Sequence, residues 1–69
     1  MRGKLTDKQR ETLKTIRRLR IESGLMPTQK EIADTLAITQ PAALLRLRIL
    51  ARKGYVRLVP RVARGIVLL

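Results

Sequence analysis

The stretch Thr28-Gln29-Lys30-Glu31-Ile32-Ala33-Asp34-Thr35-Leu36-Ala37-Ile38-Thr39-Gln40-Pro41 decides the fold. Thr28 and Glu31 stand three apart, the capping-box pattern in which a hydroxyl accepts from an early helix N–H and a carboxylate accepts from the cap's own N–H. Ile32, Ala33 and Leu36 follow on one side, which predicts a short helix from about Gln29 to Leu36. Ala37-Ile38-Thr39-Gln40 has room only for a tight turn. Pro41 suits the first position of the next helix, where its missing N–H would have been unpaired in any case. That helix is expected from Pro41 to Lys53, stopping before Gly54. Two helices joined by such a turn form a helix-turn-helix unit, with small Ala33 permitting close approach and Ile38 plugging the turn into the core.

Working outward, Thr6-Asp7-Lys8-Gln9 is another capping box, so a first helix is expected to begin at Asp7. Leu13, Ile16 and Leu19 give it a buried stripe. Gly24 ends it by taking a left-handed conformation, and Pro27 blocks continuation. After Gly54 the pattern turns to Tyr55-Val56-Arg57-Leu58-Val59 and Ile66-Val67-Leu68-Leu69 around a connector with Pro60 and Gly65. Two β-branched runs so placed predict a hairpin, the wing of a winged helix. The fold class expected is therefore mainly α with a small β-hairpin (α+β): a winged helix-turn-helix of three helices and a two-stranded wing, one domain over residues 1–69.

Composition removes whole classes of function. The chain has no Cys, His or Trp, so no disulfide, no Cys or His metal site and no Cys/His or Ser/His nucleophile system can be built. Asp7, Glu11, Glu22, Glu31 and Asp34 form no catalytic pair, and no enzyme activity, metal, cofactor or small-molecule ligand is expected. No apolar run approaches the roughly 20 residues of a membrane span. The basic start leads into a charged helix rather than the apolar region of a secretory signal, so a cytoplasmic, nucleoid-associated protein is expected. Sixteen Lys and Arg against five acids leave a net charge of +11, an excess that points to a polyanionic partner. All the acids lie at or before Asp34. Beyond it stand Arg46, Arg48, Arg52, Lys53, Arg57, Arg61 and Arg64 with no acid among them.

In the third helix, Ala43, Leu44, Leu47, Leu50 and Ala51 fall within one arc, expected to be the core side. The opposite arc mixes Arg46, Arg48, Arg52 and Lys53 with a row of Ala42, Leu45 and Ile49. A helix that reads duplex DNA inserts its N-terminal turns into the major groove, which nominates Gln40, Ala42, Leu45 and Arg46 as base readers. For Leu45 and Ile49 a covering wing or a second copy is the competing reading. Thr28 and Gln29 open the second helix, where N–H groups and the dipole form a phosphate seat. Arg48, Arg52, Lys53, Arg61 and Arg64 are the further phosphate candidates, the last two on the wing. Tyr55 is the single aromatic, too few for a single-strand stacking platform, so double-stranded DNA is the expected partner.

Leu5-Thr6 with Gln9, Gly24 with Met26-Pro27-Thr28, Glu31-Ile32-Ala33 with Leu36, Leu47, Leu50-Ala51-Arg52-Lys53-Gly54, and Arg64-Gly65-Ile66 with Leu68-Leu69 together resemble the N-terminal DNA-binding domain of LexA-type SOS repressors. The resemblance runs from Leu5 to the end. It implies a winged helix, sequence-specific transcriptional regulation, and backbone contacts by Thr28, Arg52, Lys53 and Arg64. It does not carry over the operator code. The entry to the third helix is one residue shorter than in the family, and where those repressors present an Asn and two Glu, this chain has Pro41 or Ala42, then Leu44 and Leu45. The family's Ser/Lys protease domain and principal dimer contacts are expected to lie outside these residues, which leaves an excised domain or a free-standing regulator open. A lone domain carries one half-site's contacts, so self-association on DNA is a further expectation. Two rivals remain at this point: a winged helix that binds a protein through Ala42, Leu45 and Ile49, and a non-specific architectural or recombination accessory factor.

Overall fold

The computed structural model describes residues 2–69. Helix α1 spans Asp7–Ser23, α2 Gln29–Leu36 and α3 Gln40–Arg52, followed by strands β1 Val56–Leu58 and β2 Ile66–Leu68. The strands pair antiparallel with Val56 opposite Leu68, Arg57 opposite Val67 and Leu58 opposite Ile66. Three helices followed by a hairpin is the winged helix expected. Among the described residues no helix is long and apolar enough to cross a membrane.

Each helix starts where its cap dictates. The Thr6 hydroxyl accepts from the Gln9 backbone N–H at 3.3 Å while the Gln9 side-chain Oε1 accepts from the Thr6 N–H at 3.1 Å. At α2 the same exchange runs between Thr28 and Glu31, at 2.9 and 3.1 Å. Helix α3 begins at Gln40 and ends at Arg52, one residue earlier at each end than Pro41 and Lys53. The cause is Thr39, whose hydroxyl accepts from the Ala42 N–H at 3.3 Å and takes the cap. Between α2 and α3 the chain turns through Ala37, held left-handed at φ 56°, a conformation that costs an L-residue roughly 1–2 kcal/mol. The Ile38 N–H, bonded to the Ala33 carbonyl at 3.0 Å, helps hold it.

The core is built from Leu13 and Ile16 of α1, Ile32 and Ala33 of α2, Ala43, Leu47 and Leu50 of α3, and Val56 and Ile66 of the hairpin. Leu19, Leu36, Ile38 and Ala51 pack against its edge. Two features depart from the expected stripes. Thr12 and Thr15 are buried beside Leu13 and Ile16, which Thr12 tolerates because its hydroxyl donates to the Lys8 carbonyl at 2.9 Å. Leu44, expected on the core side, is only half-buried and faces the wing, because its position at the margin of the arc lies beyond the packing of Ala43 and Leu47.

The hairpin is closed by the Val59 N–H bonding the Gly65 carbonyl at 2.7 Å and the Gly65 N–H bonding the Val62 carbonyl at 3.0 Å. At the other end of the molecule, residues 2–5 fold over the end of α3. The Gly3 N–H donates to the Lys53 carbonyl at 3.0 Å and the Tyr55 hydroxyl donates to the Gly3 carbonyl at 2.8 Å. The Arg2 guanidinium lies 5.0 Å from the centre of the Tyr55 ring, a cation–π distance.

Candidate nucleic-acid interface

Ala43, Leu47 and Leu50 fix which way α3 faces, and the arc directly opposite them carries Pro41, Leu45, Arg48 and Arg52, all exposed. Leu45 is 60% exposed. Ala42 and Ile49, beside it on the flank toward α1, are half-buried. Gln40 is exposed in the first turn. Arg46 is turned the other way. Its guanidinium donates to the Thr12 hydroxyl at 3.3 Å across the α1–α3 contact, so a side chain nominated as a base reader is drawn to the flank of the helix.

The wing folds beside α3 and leaves a cleft of about 430 Å³. Gln29 at the start of α2, with Leu44 and Arg48 of α3, lines one wall, and the wing from Leu58 to Ala63 with Gly65 and Ile66 lines the other. Arg61 stands at the wing tip, exposed and left-handed at φ 65°. Gln29, Arg48 and Arg61, nominated separately for phosphate, are therefore brought to one cleft beside the exposed face of α3. A shallower depression is lined by Asp7, Arg10, Glu11, Lys14, Thr15 and Arg18, all on α1, with surface ion pairs from Arg10 to Asp7 and from Arg18 to Glu22.

Besides Arg46, two of the cations nominated for phosphate are engaged within the protein. Arg64 leaves the wing tip and reaches back to α2, where Nη1 donates to the Met26 carbonyl at 2.8 Å and to Glu31 Oε1 at 2.7 Å. Lys53 Nζ donates to the Lys4 carbonyl and to Gln9 Oε1, both at 2.6 Å, so it fastens the N-terminal arm and the start of α1 to the end of α3. Arg52, the neighbour of Lys53, remains exposed on the outward face of α3.

Glu31 is the residue of this region that the basic pattern concealed. The Thr28 backbone N–H and hydroxyl hold its carboxyl below the ordinary carboxylate value, and Arg64 adds to the effect through its hydrogen bond and charge. Its one outward sign in the sequence is a capping acid among cations. No group of three His, Cys, Asp or Glu among the described residues is placed to hold a metal ion.

With this geometry in view, residues 2–65 match the model of the family described as the LexA DNA binding domain. The chain is 44% identical over 70 residues to the LexA repressor of Alcanivorax borkumensis, an alignment covering 100% of this chain and 34% of that protein. It is 48% identical over 63 residues to the LexA repressor of Halorhodospira halophila, covering 90% of this chain and 28% of the relative. With LexA repressor 1 of Pseudomonas putida it shares 44% identity over 64 residues, 91% of this chain and 32% of the relative. The chain thus spans about a third of the length of the curated relatives it matches.

Proposed function

This chain belongs to the LexA DNA binding domain family, and on that premise we propose that it binds double-stranded DNA sequence-specifically and acts as a transcriptional repressor, laying α3 in the major groove and occluding a promoter. One observation carries this reading. The outward face of α3 is open, and Gln29, Arg48 and Arg61 stand around the cleft that flanks it, in a chain with a net charge of +11.

The roles divide along that geometry. The first turn of α3 meets base edges, with Gln40 able to pair bidentately with adenine. The N–H groups at Thr28 and Gln29, where the positive end of the α2 dipole lies, seat one phosphate. Arg48 and Arg52 on α3 and Arg61 on the wing take phosphates along the groove walls. A single domain covers one half-site, so self-association on DNA supplies the affinity of a working repressor. No catalytic step is assigned to this domain.

Selection from random duplexes at about 150 mM salt tests the reading. A recovered motif that binds roughly a thousandfold tighter than the unselected pool is the expected result. One steep salt slope shared by every duplex, with no motif, would replace the repressor by a non-specific architectural factor.

A further inference from the structure

A helix that enters the major groove end-on presents its first two turns to the bases, and in α3 those turns are unusually poor in hydrogen-bonding side chains. Gln40 is exposed at the first position, but the outward positions that follow in these turns are Pro41 and Leu45, with half-buried Ala42 on the flank beside them. Arg46, the nearest cation, is held toward α1 by the Thr12 hydroxyl. Arg48 faces the wing cleft, and Arg52 comes at the far end of the helix. Leu45, at 60% exposure, is the exposed large hydrophobic side chain of α3.

Hydrocarbon side chains cannot exchange hydrogen bonds with base edges. The feature of the major groove that suits them is the C5 methyl of thymine, the one methyl group that any of the four bases presents there. The charges around the patch supply the complementarity that brings this hydrocarbon against a polyanion. Arg48 and Arg52 lie on the same face and Arg61 stands across the cleft, so a duplex held by its phosphates presses its groove floor onto Leu45.

We infer that Leu45, with Ala42 beside it, reads thymine methyl groups, so the duplexes this domain selects carry thymines at the bases under the second turn of α3. This inference rests on the reading of α3 as the groove-inserted helix. It names what that helix discriminates.

The test uses the duplex recovered by selection, with each thymine replaced in turn by deoxyuridine, which removes the methyl and keeps the base pair. Loss of about fourfold at one or two positions is expected, the factor for one apolar carbon no longer buried. In the Leu45→Ala variant the penalty should shrink at the position under Leu45, while any position under Ala42 keeps its own. Thermal unfolding of the variant confirms that the fold is intact, as truncation of an exposed side chain predicts. Two results overturn the inference while leaving the repressor reading standing: uracil binding as well as thymine at every position, or a uracil penalty undiminished in Leu45→Ala. Loss of self-association in Leu45→Ala, with the uracil penalty retained, would assign the leucine to a contact between copies. Failure to recover any motif removes the specific reading first, and the methyl code with it.

Discussion

The Arg64 guanidinium is joined to the Glu31 carboxylate at 2.7 Å, a bond that ties the wing to the first turn of α2 across 33 residues of chain. Glu31 is already half of a capping box, since its Oε1 also accepts the Thr28 N–H at 2.9 Å. The cap of α1 is made by Gln9, a neutral side chain in the same position of the same motif. Capping alone therefore does not require the charge at residue 31. The charge gives Arg64 a partner, and with it fixes the wing beside the start of α2, where phosphate binding is proposed.

Glu31→Gln keeps the cap and removes the charge. Binding to the selected duplex should weaken, and Arg64→Ala should weaken it further when Glu31 is present than when it is already Gln. Additive losses in that double-mutant cycle would mean that Arg64 acts on DNA independently of Glu31. The pH dependence has a definite sign. The folded protein holds the Glu31 proton less tightly than the unfolded chain does, so the carboxylate stabilises the fold above its ordinary value of 4.5 and loses that contribution as pH falls through and below it. Urea unfolding at a series of pH values should therefore show a smaller acid loss of stability in Glu31→Gln than in the parent.

Gly65 tests the wing without touching a charge. A Cβ there would overlap the Val59 carbonyl and come within 2.8 Å of the Val62 carbonyl. Both obstacles are backbone, so neither can swing aside. Gly65→Ala should cost about 1–3 kcal/mol by forcing the hairpin open. Amide exchange should rise at Val59 and Gly65, whose N–H groups close the loop, while the α3 amides around Leu47 keep their order of protection. Unchanged exchange at both wing amides would contradict the steric account.

The helices were legible because their signals are local. Thr6 with Gln9 and Thr28 with Glu31 placed the starts of α1 and α2 at the observed residues. Pro41 misled by one residue only because Thr39, a better cap, precedes it. The hairpin followed from two β-branched runs around Gly65. What stayed hidden was the pairing of long cationic side chains, since periodicity says which face a lysine or arginine occupies but not which distant acceptor it meets. Arg46 finds Thr12, Lys53 finds Gln9 and Arg64 finds Glu31, partners 34, 44 and 33 residues away. The sequence nominates Arg48, Arg52, Lys53, Arg61 and Arg64 alike for phosphate and Arg46 for the bases, and only the folded arrangement separates those that bind the protein itself.

Lys53 is the sharpest case of that separation. Its Nζ donates at 2.6 Å to both the Lys4 carbonyl and Gln9 Oε1, so Lys53→Met should destabilise the domain by about 1–2 kcal/mol through lost charged hydrogen bonds. The slope of log affinity against log salt should stay that of the parent. A slope shallower by about one unit, with stability unchanged, would restore Lys53 to the phosphate contacts.

Arg61 makes the opposite forecast and allows a cleaner variant. It is exposed at the wing tip with φ 65°, a conformation that glycine adopts freely and arginine does not. Arg61→Gly therefore removes the charge and relieves the backbone in one change, so the melting temperature should hold or rise. Any loss of DNA affinity then belongs to the missing guanidinium rather than to a damaged fold. Arg48→Ala, on the exposed face of α3, removes the cation on the other wall of the same cleft. Each variant should reduce the salt slope by about 0.9 and weaken all duplexes by a similar factor, as expected of phosphate contacts. A change in the selected sequence in either variant would instead move that arginine from the phosphates to the bases.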